Sequence, residues 1–157
     1  MIRDLYETHI LVSDLNRSRH FYEDLLGLEV GWINLHERRL LYWVGSCGKA
    51  MLGVREVPKE KVFWQHFAFE VTQDDMRNAV AFLKSKGIKC HNRIDGGEYP
   101  QVFGWMPAVA IYFHDPDGHL LEFISMLPDP PRSDLGLLAW EEWDRRKGFN
   151  QPLLPDT

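Results

Sequence analysis

The sequence predicts an α+β fold made of two βαβββ modules, whose strands form a curved mixed sheet around a cup. Three observations predict it. A histidine leads an apolar, β-branched run twice, at His9 and at His66. Each run is followed by helical periodicity ending on a glycine, Gly27 and Gly87, which stand 60 residues apart. After each glycine come short extended runs separated by turn residues, so the chain describes one unit twice.

The first copy opens with Glu7-Thr8-His9-Ile10-Leu11-Val12, a strand by its β-branched and apolar content. Ser13 or Asp14 suits the cap of a following helix, because a short polar side chain accepts from its free N–H groups. Leu15, Tyr22, Leu25 and Leu26 recur at helical spacing, and Gly27 supplies the left-handed end. Leu28-Glu29-Val30 resumes an extended chain. Strands at Arg39–Val44 and Ala50–Val54 follow, with Gly45, Ser46 and Gly48 in the turn between them.

The second copy starts at His66-Phe67-Ala68-Phe69-Glu70-Val71. Thr72 and Asp75 form a capping-box pattern, with Asp in the usual Glu position. Met76, Ala79, Val80 and Leu83 make the buried helical stripe, and Gly87 ends it. Ile88-Lys89-Cys90 repeats Leu28-Glu29-Val30. Val109–Phe113 and Leu120–Ile124 are the closing strands, joined by the turn Asp115-Pro116-Asp117-Gly118. His9 and His66 are only 57 residues apart, so the second copy carries three extra residues between first strand and helix end. One βαβββ unit is too small to close, whereas two can share a sheet curved around a cleft. The expected organisation is one domain over residues 1–127, with modules at about 5–57 and 62–127. An extension over 128–157 carries a short helix at Leu137–Lys147 with Trp140 and Trp143, which suits covering an apolar surface or a subunit contact.

Composition narrows the function classes. The formal charge of −5 disfavours a broad nucleic-acid or anionic-membrane footprint. No apolar run approaches the roughly 20 residues of a bilayer span, and Met1–Glu7 lacks a secretory signal pattern. A cytoplasmic location is expected. Cys47 and Cys90 have no Cys-x-x-Cys spacing, which implies two reduced thiols rather than a thiolate metal site.

Strand alternation then picks out three residues. With His9 and Leu11 facing the cleft, Ile10 and Val12 pack toward the helices. In the same way His66 shares a face with Ala68, and Glu122 with Leu120 and Ile124. Imidazoles and a carboxylate among apolar neighbours are costly to bury alone, and a divalent ion resolves that cost. A lone strand histidine is more often structural, but three candidates at equivalent places in a repeat favour a metal triad of His9, His66 and Glu122. Two imidazoles and one carboxylate leave positions open for water and substrate, and suit Mn, Fe, Ni or Zn without selecting among them.

His9–Leu15, Phe21–Leu28, His66–Phe69 and Asp115–Glu122 together resemble the vicinal oxygen chelate superfamily. That group contains glyoxalases, extradiol dioxygenases, fosfomycin-resistance enzymes and bleomycin-resistance proteins. The resemblance covers roughly Glu7 to Met126. It implies a glyoxalase-like metal cup, often completed by a homodimer in which the first histidine comes from the other subunit. It further implies a metal-dependent lyase, transferase or dioxygenase acting on a small oxygenated molecule, in some members with a thiol co-substrate. Tyr112 falls where fosfomycin-resistance enzymes keep a substrate-contacting tyrosine, and is the candidate catalytic residue beside a plain reading as a strand aromatic.

Departures from the family patterns sort the activities. Glyoxalase I adds a glutamate on the last strand of the first unit, and matching strands places Leu52 opposite Glu122, where leucine cannot ligate. Extradiol dioxygenases place a histidine several residues before the tyrosine, and Phe103-Gly104-Trp105-Met106 has none. The nearest pattern is that of thiol-dependent fosfomycin-resistance enzymes, although Leu11 stands where they carry a hydroxyl or thiol residue. A phosphonate also needs cations, and Arg93 and Arg132 are the candidates. An Fe(II) extradiol-type dioxygenase is the alternative, and a metal-free bleomycin-resistance-like binding protein a further one that normally lacks the triad. His20, His36, His114 and His119 read as surface or turn residues, and His91–Pro107 as either a lid or a surface hairpin.

Overall fold

The computed structural model describes residues 1–148, and the end of the expected 128–157 extension lies outside the described residues. The chain divides into two compact units. One comprises Met1–Phe67 with His114–Leu121; the other comprises Ala68–Phe113 and the described residues from Glu122 onward.

The first unit carries a four-stranded sheet. Its elements are β1 (Glu7–Val12), α1 (Leu15–Arg19), β2 (Glu29–Asn34), β3 (Arg39–Val44) and β4 (Ala50–Glu56), in sheet order β1-β4-β3-β2. Strands β1 and β4 run parallel, while β4, β3 and β2 form an antiparallel meander. The alternation expected in β1 is present, since Ile10 and Val12 are fully buried while His9 is exposed. Asp14 caps α1 by accepting from the Arg17 N–H at 3.0 Å. The helix then widens into a π turn at His20–Leu25, with the Leu26 N–H donating five residues back to the Phe21 carbonyl. Gly27 at φ +80° ends it, a conformation that a Cβ would penalise. Tyr22 and Tyr42 lie beneath, their ring centroids 5.9 Å apart.

The chain from His66 onward is built on a six-stranded sheet. Its elements are β5 (His66–Glu70), α2 (Gln73–Ser85), β6 (Cys90–His91), β7 (Gln101–Phe103), β8 (Ala108–His114), β9 (Leu120–Met126), β10 (Leu137–Ala139) and α3 (Trp140–Arg146). The order is β10-β7-β8-β9-β5, with β6 also paired to β8. The series β5-β9-β8-β6 repeats β1-β4-β3-β2, so the duplication read from the sequence is present in the topology. Thr72 caps α2 at the Asp75 N–H, 3.0 Å away. Met76, Ala79 and Leu83 form the buried stripe of the helix. Phe113 and Phe123, 4.7 Å apart, pack on one side of the sheet together with Phe69 and Phe82.

Two segments differ from their sequence reading. The second copy's second strand is split. Cys90 and His91 pair with Phe113 and Tyr112, and Gln101 then takes the next place on the same edge opposite Ala110. Asn92–Pro100 leaves the sheet between them as a loop knotted around Asn92, whose amide bonds Gly97, Ile94 and Asp95. Leu137–Ala139 is a strand before the short helix, because the edge of β7 offers free backbone groups to pair with. Trp143 of α3 is fully buried and its indole N–H donates to Asp129 at 2.9 Å.

Candidate metal and substrate site

In the first unit, parallel pairing sets His9 beside Gly53. The imidazole lies so close to that backbone that a Cβ at residue 53 would stand 2.1 Å from Nδ1. A glycine is therefore required for the ring to rest where it does. The other ring nitrogen, Nε2, is 3.1 Å from the Glu7 carboxylate.

His66 is oriented from two sides. Trp64 stacks on the ring with an interplanar angle of 13°. Nδ1 lies 3.0 Å from the Leu120 carbonyl, and a carbonyl only accepts. The proton of a neutral ring is thus on Nδ1 and the lone pair on Nε2. This tautomer leaves Nε2 as the nitrogen able to ligate, and a backbone carbonyl is the kind of outer partner that ligating histidines have.

His119 departs from its sequence reading as a surface or turn residue, for it is fully buried. Its Nδ1 accepts from the Gln65 N–H at 3.2 Å, and its Nε2 lies 2.7 Å from the Leu11 carbonyl. One ring thereby braces the backbone next to His66 and the backbone two residues after His9. The turn before it is anchored by Asp115, which accepts from the Tyr22 hydroxyl at 2.9 Å and from the N–H groups of Asp117 and His119. Burial raises the Asp115 carboxyl above its usual range. No local pattern in the sequence marks His119 as a brace, since its partners are 54 and 108 residues away.

Leu52 also stands differently from its expected match with Glu122. It pairs with Tyr42 and Thr8, is fully buried, and lies on the helix side with Ile10, Tyr42 and Val54. The β4 residues that share the face of His9 are Met51, Gly53 and Arg55. None of them is a carboxylate, so the first copy still offers no counterpart to the fourth ligand of glyoxalase I.

In the second unit, Phe113 and Phe123 take the helix side, so alternation turns Tyr112 and Glu122 to the opposite face. The Glu122 side chain is buried, at 5% exposure. The Tyr112 hydroxyl lies in the field of both the Glu122 carboxylate and the Arg93 guanidinium. Burial is the larger cause that raises the Tyr112 hydroxyl above its ordinary value, and the neighbouring carboxylate adds to it. The Arg93 guanidinium lies 5.8 Å from the centre of the tyrosine ring, and the His91 ring lies 6.0 Å from it on the other strand. Arg132, the other cation considered for an anionic substrate, instead bonds Asp134 bidentately.

Among the described residues of one chain, no three His, Cys, Asp or Glu side chains come together as an ion site. The donor chemistry nonetheless fits a divalent ion. His66 keeps Nε2 as its lone-pair nitrogen, and Glu122 is a buried carboxylate on the sheet face of Tyr112.

Residues 5–123 match the model of the Glyoxalase/Bleomycin resistance protein/Dioxygenase superfamily, and the chain belongs to that superfamily, the vicinal oxygen chelate group. It is 28% identical over 130 residues to the glutathione transferase FosA of Serratia marcescens, covering 78% of this chain and 80% of that one. It is 30% identical over 114 residues to the metallothiol transferase FosB of Staphylococcus epidermidis, covering 71% and 73%. Among solved structures it is similar to the integron cassette protein HFX_CASS4 from the mobile metagenome of the Halifax Harbour sewage outfall. That match has a TM-score of 0.68 and 34% identity, and covers 80% of this chain and all of the other. The relatives' names establish that the superfamily includes enzymes. No helix among the described residues is long and apolar enough to cross a membrane.

Proposed function

We propose that this chain is a metal-dependent enzyme in which His9, His66 and Glu122 bind one divalent ion, Mn, Fe, Ni or Zn, for a small oxygenated substrate. The carrying observation is the Nδ1–H contact of His66 to the Leu120 carbonyl, which presents Nε2 as the ligand atom. Superfamily membership and the buried Glu122–Tyr112 pair support the same reading. Because no three candidate ligands gather among the described residues of one chain, a homodimer is expected to complete the site, His9 coming from the second copy.

When bound, the ion supplies Lewis-acid polarisation of a substrate oxygen. The chain's own residues do the rest. The Leu120 carbonyl fixes the His66 tautomer, and Tyr112 shares the sheet face of Glu122, with its hydroxyl available to the carboxylate or to a substrate oxygen. Arg93, whose guanidinium lies 5.8 Å from the centre of the Tyr112 ring, puts a positive charge beside any oxyanion there. Similarity to FosA and FosB favours transfer of a thiol to a small electrophile over oxygen chemistry, in the cytoplasm of the cell.

The test is metal analysis followed by two assays. Untagged protein should carry about one divalent ion per chain, and His66→Ala and Glu122→Gln should each lower that content at least tenfold. With Mn(II), glutathione and fosfomycin, loss of the thiol signal supports the thiol-transfer reading. Oxygen uptake with catechol under Fe(II) would support a dioxygenase instead. Full retention of metal in both variants overturns the triad.

A further inference from the structure

Strand β7 carries a buried donor that the reading above leaves unused. Gln101 has no exposed surface. Its Oε1 accepts from the backbone N–H of Arg93 at 2.5 Å. An N–H can only donate, so the amide cannot be turned over, and the nitrogen must be Nε2. Among the described residues that Nε2 meets no acceptor. Leaving a buried donor without a partner costs free energy comparable to a lost hydrogen bond, so such a group in a folded protein calls for an explanation.

Register says where the donor stands. Gln101 pairs directly with Ala110, and His91 with Tyr112. Directly opposed residues of antiparallel strands share a face. Gln101, Ala110, Tyr112 and His91 therefore lie on one face of the sheet, the face of Glu122 and opposite that of Phe113 and Phe123. Ala110 contributes only a methyl group between the amide and the tyrosine. The same amide holds the Arg93 backbone, so it fixes the start of the residue whose guanidinium lies 5.8 Å from the centre of the Tyr112 ring.

The geometry points to Gln101 Nε2 as a specificity-determining donor for an oxygen of a small carboxylate or phosphonate ligand, bound on the sheet face shared by Tyr112 and Arg93. A neutral amide donor and a guanidinium on one face suit an oxyanion, since both donate and neither competes as an acceptor. This inference rests on the reading of that face as the substrate site, but not on the identity of the metal. It also accounts for the split second strand. The Asn92–Pro100 excursion is what lets residue 101, rather than the residue after His91, face Ala110.

The experiment uses the full-length protein, phosphonoacetate as probe, and calorimetric titration with and without Mn(II). Gln101→Glu keeps the acceptor for Arg93 and removes the donor, while Gln101→Met removes the donor without adding charge. Both variants should bind phosphonoacetate about tenfold more weakly or worse, with unchanged Mn(II) content and an unchanged circular dichroism spectrum. In the wild type, the Gln101 side-chain amide resonances, assigned by their absence in Gln101→Glu, should shift on saturation. Loss of probe affinity without any bound Mn(II) would sustain this inference while sinking the metal reading. Equal affinity in Gln101→Met, or amide resonances that do not move while the probe binds, overturns the inference, as does a wild type that does not bind the probe at all.

Discussion

The His9 imidazole rests on the backbone of Gly53, with room for a hydrogen there and none for a methyl group. Gly53 sits in a regular parallel register, so alanine would be tolerated by the backbone and rejected by the ring. Gly53→Ala should leave the protein folded while displacing His9, and weaken divalent-metal binding about tenfold or more. Metal titration beside a thermal melt checks this. Unchanged affinity would mean that His9 acts from elsewhere or not at all.

The origin of His9 can be read by mixing subunits. His9→Ala and Glu122→Ala chains are each expected to lack metal. If His9 is supplied across a two-fold dimer, randomly remixed chains should recover about one quarter of the wild-type metal content, because half the dimers are mixed and each has one intact site. No recovery, in protein shown by light scattering to have exchanged, places all three ligands in one chain.

Tyr112→Phe removes the hydroxyl that the Glu122 and Arg93 charges act on and leaves the buried ring. Metal content should persist, with affinity lowered up to about tenfold by loss of the outer partner. Turnover in whichever assay proves positive should fall by about 100-fold if the hydroxyl takes part in proton transfer. An effect on affinity alone would make Tyr112 a positioning residue.

Glu56 joins two elements, accepting from the Leu15 N–H at 2.6 Å and from the Arg38 guanidinium. The Arg38 side chain, followed by the Leu15 N–H, holds its carboxyl below the usual 4.5. A depressed carboxylate stabilises the fold above its unfolded value and loses that contribution as pH falls through the folded one. Glu56→Gln should therefore cost about 1 kcal/mol at pH 7 as a lost charged helix-end contact. The difference from wild type should start to shrink below pH 4.5 and vanish at still lower pH. Denaturant melts of both proteins between pH 7 and 3 measure it, and a pH-independent gap would refute the electrostatic cause.

Trp143→Ala should destabilise the chain by about 3–5 kcal/mol, the range for emptying a large buried aromatic site. The Asp129 carboxylate also loses its indole donor. A change under 1 kcal/mol in urea unfolding would show that α3 contributes little to the stability of the unit it packs in.

Much of the fold was legible because strand alternation and helix periodicity are local. Ile10 and Val12 against His9 and Leu11, or Met76, Ala79 and Leu83 along one helix stripe, follow from neighbours within a few residues. The duplication was legible too, since the two glycine-ended helices follow two histidine-led strands. What alternation cannot state is which parity of a strand meets the helix. Counting along strands matches Leu52 to Glu122, yet pairing with Tyr42 turns it to the helix side and gives Gly53 the face of His9.

The sequence by itself determined the superfamily and the α+β class, because each depends on residue type and short spacing. Only the tertiary structure decided that His119 is a buried brace, that the second copy's second strand is interrupted, and that Gln101 rather than an exposed loop residue stands opposite Ala110. Those outcomes depend on hydrogen-bond partners contributed by distant strands, and a backbone or amide group reveals its partner only once the strands are in register.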